Sequence, residues 1–293
     1  EAGVLRAQSV QTDMPFDIPL PDLPGARLTD EQAEAAETLK RAISTRDFAT
    51  FLIDGVTGSG KTEVYFEAIA QALRTDPEAQ ILVLLPEIAL TQAILSRFEA
   101  RFGAKPAAWH SGLSDRERRR TWREAAHGRA RIVIGARSAL FLPFRSLKLI
   151  IIDEEHDGSY KQEDGVTYHA RDMAVMRAKL EGAIVVLASA TPALETIVNA
   201  ETGRYQRLQL SARPGVSRLP DVELVDLRRA PPERNHWLSP RLIHAMQETL
   251  AAGEQTLLFL NRRGYAPVTI CRACGHQVGC PHCDARLVEH RFL

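Results

Sequence analysis

Outside residues 271–283 the sequence has no cysteine. That excludes a disulfide framework spread through the chain, and two C-x-x-C pairs crowded into one window read as metal ligands in a reducing compartment. No apolar run reaches the roughly 18 residues of a membrane-spanning helix, and the amino-terminal stretch lacks the basic-then-apolar pattern of a secretory leader. A cytoplasmic protein with no membrane partner is expected. Net charge is missing too: Lys+Arg and Asp+Glu both total 37, so any basic groove for nucleic acid has to be local. What remains is 45% hydrophobic and 25% charged over 293 residues, enough for a sizeable core and two domains. The chain opens on Glu1 instead of Met and stops soon after the cysteines, so a piece of a longer protein is expected.

The most informative stretch is Gly55-Val56-Thr57-Gly58-Ser59-Gly60-Lys61-Thr62, between the apolar run Phe51-Leu52-Ile53 and a helical pattern through Val64, Tyr65, Ile69 and Leu73. This is G-x-x-x-x-G-K-T in a strand, loop, helix setting. Gly55, Gly58 and Gly60, with Thr57 and Ser59 between them, let backbone N–H groups turn toward phosphate oxygens at the positive end of the next helix. Lys61 would then reach the β- and γ-phosphates of a nucleoside triphosphate, and the Thr62 hydroxyl would hold Mg²⁺. Further on, Leu149-Ile150-Ile151-Ile152 runs into Asp153-Glu154-Glu155-His156. A carboxylate at the end of a buried strand suits Mg²⁺, here Asp153, and Glu154 beside it can orient the water that attacks the γ-phosphate. His156 either couples the γ-phosphate to other segments or caps the strand.

Apolar runs at 81–85, 131–134, 149–152 and 184–188 alternate with helical patterns at 89–102, 115–127 and 170–180. Near-continuous apolar strands between helices mean a parallel sheet covered on both faces, with the ligand at the strands' carboxyl ends. Ser189-Ala190-Thr191-Pro192 follows one such strand and suits a linkage that senses both nucleotide and a second ligand. Arg137 and Ser138 follow another, as phosphodiester contacts or as routine loop chemistry. The loop carrying Tyr160, Lys161, Tyr168 and His169 offers either a stacking surface for unpaired bases or a set of packed rings. The arginine-rich stretch at 116–123, interleaved with acids, reads as a solvated helix face. Gln32, in a helix begun by Thr29 or Asp30, is either a surface glutamine or an amide able to donate to and accept from an adenine edge.

The organisation expected is a proline-rich linker at 1–28, a nucleotide-binding lobe at 29–214, a connection at 215–235 with a short strand at 222–225, and the beginning of a second lobe at 236–270. That last part starts with a helix capped by Ser239 and continues as a buried strand at 256–260. Residues 271–293 form a truncated cysteine-rich region. Cys271, Cys274, Cys280 and Cys283 could hold one zinc ion, but only five residues, 275–279, separate the pairs, against roughly 15 to 20 in the usual Cys₄ site.

Taken together with Leu85-Pro86-Glu87-Ile88-Ala89-Leu90-Thr91, His110-Ser111-Gly112-Leu113 and Phe259-Leu260-Asn261-Arg262-Arg263-Gly264, these motifs resemble the superfamily 2 helicases, and within them the replication-restart DNA helicases. The resemblance covers nearly everything from Leu28 to His290. It implies two RecA-like P-loop NTPase lobes, here the first and the start of the second, with a truncated zinc-binding insertion. It implies an ATP-dependent 3′ to 5′ DNA helicase acting on single-stranded and forked DNA, with primosome proteins and single-strand-binding protein as partners. It places Gln32 at the adenine, Lys61 and Thr62 on the phosphates and Mg²⁺, Asp153 and Glu154 in the metal and water roles, and the loop through Tyr160, Lys161, Tyr168 and His169 on DNA. Val166 departs from the pattern, where an aromatic is usual. The resemblance further assigns two zinc ions, with the two cysteine pairs on different ions, each completed by a pair beyond Leu293, so zinc in this chain is doubtful. An arginine that reaches the γ-phosphate also lies beyond Leu293, and such a finger is worth about a thousandfold or more in rate. The chain is therefore expected to bind nucleotide, to hydrolyse it weakly and not to unwind. Two alternatives stand beside this reading: another superfamily 2 translocase, against which the cysteine pairs argue, and a nucleotide-gated DNA- and protein-binding scaffold, against which Lys61, Asp153 and Glu154 argue.

Overall fold

The computed structural model describes residues 15–45, 47–86, 92–212, 221–233, 236 and 238–259. The chain divides into two compact units, Glu1–Ser217 and Arg218–Leu293. Among the described residues of the first, nine strands and six α-helices follow the order α1 (Asp30–Thr45), β1 (Ala49–Gly55), α2 (Lys61–Thr75), β2 (Gln80–Leu84), α3 (Gln92–Phe102), β3 (Ala107–Trp109), α4 (Asp115–Ala126), β4 (Ile132–Gly135), β5 (Leu147–Asp153), β6 (Lys161–Gln162), β7 (Tyr168–His169), α5 (Ala170–Glu181), β8 (Ile184–Ser189), α6 (Leu194–Glu201) and β9 (Gln206–Leu210). Seven strands form one sheet in the order β3-β4-β2-β5-β8-β1-β9. Every pairing in it is parallel. The expected α/β architecture is the one observed.

Side chains alternate across this sheet and fill two cores. Phe51 and Ile53 of β1, Ile81 and Val83 of β2, Ile151 of β5 and Val186 of β8 face one side, where α1, α2 and α3 cover them. Leu52, Leu82, Leu84, Ile150, Ile152, Val185 and Leu187 face the other, beneath α5. Burial on both faces is why these strands read as continuous apolar runs. On the first side Phe66 meets Phe98 and Phe102 edge-on at 4.7 and 5.7 Å, an arrangement that ring quadrupoles favour. Helix α4 starts at a capping box in which Ser114 and Glu117 satisfy each other's backbone N–H groups.

Residues 15–28 are not a free linker. They lie along the first unit, with Leu20 N–H donating to Phe102 O at 2.8 Å, Arg74 on Asp22 at 2.7 Å and Arg101 donating to Leu23 O at 2.9 Å. Proline has no N–H to satisfy, so a segment carrying Pro15, Pro19, Pro21 and Pro24 lies against helices with few backbone partners.

In the second unit α7 (Pro240–Ala251) forms as expected, with Ser239 Oγ accepting from Leu242 N and proline in the first turn. The strands expected at 222–225 and 256–260 do not form within the described residues. Leu224, Leu257 and Phe259 are instead exposed; among the described residues neither run has a paired neighbour, and so neither has a ladder to join. The cysteine window lies outside the described residues.

Candidate functional site

Strand order brings three motifs to one edge of the sheet. The phosphate loop follows β1 and the Asp153 box follows β5, with β8 between them, so Ser189 stands beside both: Asp54 pairs with Ser189 and Asp153 with Ala188. These are the carboxyl ends of the strands, where the positive ends of α2 and α6 also gather.

Gly58 and Gly60 both hold left-handed backbone, φ 81° and 82°, and Gly60 is the residue from which α2 starts. A Cβ on Gly60 would lie 2.3 Å from Gln32 Nε2. Gly60→Ala is therefore expected to cost about 1–3 kcal/mol through backbone strain and collision, seen as a lowered midpoint in thermal unfolding, and to weaken nucleotide binding in parallel. Lys61 opens α2 and donates to Gly55 O at 2.9 Å, its ammonium folded back over the loop. Ser59 Oγ is buried and has no partner among the described residues, which suits a loop built to receive the oxygens of a phosphate.

Gln32 departs from the open adenine-reading posture. Its Nε2 donates to Ser59 O at 2.7 Å and its Oε1 accepts from Thr29 N at 2.9 Å. Both halves of the amide are thus spent on joining the start of α1 to the phosphate loop. The same amide chemistry that suits an adenine suits two backbone groups.

Asp153 is half-buried at the end of β5. Tyr65, one turn into α2, donates its hydroxyl to Asp153 Oδ2 at 3.1 Å, and Glu154 N–H donates to Asp153 Oδ1 at 3.0 Å. Burial and the neighbouring Glu154 push the Asp153 carboxyl above its ordinary range. A half-buried carboxylate under that pressure is a fitting ligand for a divalent cation, which stabilises the ionised form. Burial and Asp153 also push the Tyr65 hydroxyl well up, so it stays protonated and keeps donating. Glu154 has φ +49°, the one left-handed non-glycine backbone among the described residues. His156 Nδ1 lies 2.7 Å from Ser189 Oγ and 3.6 Å from Glu154 Oε2. Ser189 Oγ in turn accepts from Thr191 N at 3.0 Å. His156 thus bonds the Asp153 box to Ser189 at the end of β8.

The nucleic-acid candidates divide. Arg137, Ser138 and Tyr168 line one cleft of about 210 Å³, with Gln162 and Arg118 on its walls. Arg137 donates to Ser159 O at 3.0 Å and also to Lys161 O, and Tyr168 meets Phe141 edge-on at 5.1 Å. Ser138 Oγ accepts from Trp109 Nε1 at 3.1 Å. Lys161 and His169 pair across the β6–β7 hairpin; the former is exposed and bonded to Glu163 at 2.9 Å, the latter half-buried. Val166 is 81% exposed.

Tyr160 corrects the expectation. Its ring is buried and its hydroxyl shares a proton between Asp153 O at 2.7 Å and Leu84 O at 3.0 Å. It offers no face to a base; it fastens the loop to the ends of β2 and β5. Tyr160→Phe keeps the packing but leaves two carbonyls short of a donor, a loss expected to be about 1–3 kcal/mol by urea unfolding.

Sequence reasoning passed over Tyr65 and Glu155. The side chain of Glu155 is fully buried between Arg171, Thr196 and the backbone of Ala193, and an unassigned carboxylate inside the Asp153 box was the available signal. Among the described residues no cluster of three metal-ligating side chains occurs, and no helix is long and apolar enough to cross a membrane.

Comparison with known proteins places this geometry. The DEAD/DEAH box helicase family matches residues 29–200. Among curated relatives, the replication restart protein PriA of Bacillus subtilis is 46% identical over 90% of this chain and 33% of its own length. PriA of Rickettsia felis is 44% identical over 93% of this chain and 40% of its own. The chain thus spans between a third and two fifths of the length of these relatives. Of solved structures, the DUF1998 helicase MrfA aligns over 81% of this chain and 36% of its own at TM-score 0.54 and 20% identity. RecG bound to a three-way DNA junction aligns over 67% of this chain and 25% of its own at TM-score 0.50 and 21% identity. Both share the fold.

Proposed function

This chain belongs to the DEAD/DEAH box helicase family, with replication restart proteins PriA as its relatives, and from that premise we propose that it carries the ATP-binding lobe of a 3′ to 5′ DNA helicase of replication restart. The observation that carries the reading is the convergence of the phosphate loop, the Asp153 box and the Ser189 segment at one sheet edge, tied by Tyr65 to Asp153 and His156 to Ser189.

In this reading Lys61 leaves Gly55 O and moves its charge to the β- and γ-phosphates, while the loop amides take up the remaining oxygens. Thr62 and Asp153 are the residues that would hold Mg²⁺, which supplies charge neutralisation at the transferred phosphoryl group. Glu154 accepts the proton of the attacking water. Gln32 leaves its backbone partners to read adenine. His156 and Ser189 carry the state of the γ-phosphate toward the cleft lined by Arg137, Ser138 and Tyr168, where a single DNA strand lies against backbone-reading groups and a stacking ring. Lys161 and His169 flank that path. The cysteine pairs belong to a zinc-binding insertion with two ions in the whole protein, and the whole protein works in the cytoplasm on forked DNA with primosome proteins and single-strand-binding protein. Alone, this chain binds nucleotide, hydrolyses it weakly and does not unwind.

Fluorescence anisotropy of a labelled single strand, with and without a non-hydrolysable ATP analogue, tests the reading. Nucleotide is expected to change the affinity for DNA; indifference to nucleotide would leave two unconnected sites. Polarity is decided on duplexes with 3′ or 5′ tails by a protein of the relatives' length.

A further inference from the structure

Glu155 stands between the proposed water-activating residue, Glu154, and the start of α6. Its carboxylate is fully buried and takes three hydrogen bonds from two other elements. Oε1 accepts from Ala193 N at 2.7 Å, where α6 begins. Oε2 accepts from Thr196 Oγ1 at 2.9 Å and from Arg171 Nη1, in the first turn of α5, at 3.1 Å. Thr196 and Arg171 are themselves buried, and Arg171 also bonds Asp172 at 3.0 Å.

The backbone around this carboxylate is the strained part of the site. A non-glycine residue in the left-handed region persists only where its surroundings over-determine it. Glu154 is held by its own N–H on Asp153 Oδ1 and by Asp157 N on its carbonyl at 2.8 Å. The next residue, Glu155, is held by its N–H on Ala188 O at 3.1 Å and by the three side-chain bonds. Those bonds are the ones that reach beyond the two strands to α5 and α6.

We propose that Glu155 is a positioning residue: through Thr196, Ala193 and Arg171 it locks the backbone turn at Glu154 to the start of α6, and so sets the aim of the Glu154 carboxylate. This rests on the reading of Glu154 given above. It also makes the 189–196 segment a part that cannot shift without moving the Glu154 carboxylate, by a route separate from His156 and Ser189.

The test uses the full 293-residue chain. Removing one member of a buried ion pair strands the other, whereas replacing both by apolar residues of similar volume is often neutral for stability. The double variant Glu155→Leu/Arg171→Met therefore separates stability from positioning. Its affinity for a fluorescent ATP analogue is expected to be unchanged, while single-turnover hydrolysis falls at least about tenfold, the usual loss when an orienting partner is removed. Parental hydrolysis in a folded double variant would overturn the proposal. Thr196→Val, which keeps the ion pair and the side-chain volume, covers the case in which the double variant does not fold. It should slow hydrolysis with affinity intact, and an unchanged rate would again overturn the proposal. Hydrogen exchange reads the lock without nucleotide. In Thr196→Val, amides of 189–200 are expected to exchange faster while those of α2 do not, and equal exchange overturns the lock. Failure of the parent chain to bind nucleotide would sink the functional reading and leave the exchange test standing.

Discussion

Lys61→Ala is expected to weaken ATP binding by about 10- to 150-fold, the equivalent of the ~1.5–3 kcal/mol carried by a hydrogen bond to a charged group. Without nucleotide, Lys61 sits buried on Gly55 O, inside the loop whose glycines hold the left-handed backbone. In the proposed reading its ammonium swings from that carbonyl to the β- and γ-phosphates. Alanine leaves Gly55 O without this donor and the phosphates facing backbone amides alone. Titration calorimetry of the variant against ATP and Mg²⁺ checks this, with circular dichroism confirming the fold. Binding at parental strength would mean that the loop does not hold the phosphates through Lys61.

Glu154→Gln is expected to do the reverse, leaving binding nearly intact and lowering hydrolysis by about 10²- to 10⁴-fold, the contribution of a positioned general base. Two observations support that division. The side chain is partly exposed, 3.6 Å from His156 Nδ1, so it is not part of the core and glutamine fits without repacking. Its backbone is the left-handed outlier of the site, and that cost is retained where geometry serves a reaction. Single-turnover hydrolysis beside an equilibrium affinity separates the two quantities. A fall in affinity equal to the fall in rate would make Glu154 a binding residue.

The central sheet was legible because β2, β4, β5 and β8 are buried on both faces and therefore leave continuous apolar runs. The edge strands were not. In β9 only Leu208 and Leu210 turn inward while Gln206, Arg207 and Gln209 face solvent, and β3 has three residues, too few to show a period. The positions of the phosphate loop and the Asp153 box, after β1 and β5, were legible because each follows an apolar run. Tyr160 was misread because an aromatic residue in a glycine-bracketed loop has the same sequence whether its ring faces a base or a core. Glu155 was passed over because a buried carboxylate is recognised by its donors, and these lie 16, 38 and 41 residues away. Gln32 shows a related limit: the composition of an amide states what it can bond, not which partner it holds.

If one sheet edge joins an ATP site to a DNA-binding cleft, as proposed, a bound strand is felt at the phosphate loop. Single-turnover ATP hydrolysis by this chain, with and without a single-stranded oligonucleotide, measures that connection. Slow hydrolysis that the strand accelerates is expected; hydrolysis at the same rate with and without DNA would mean that the two sites are not joined.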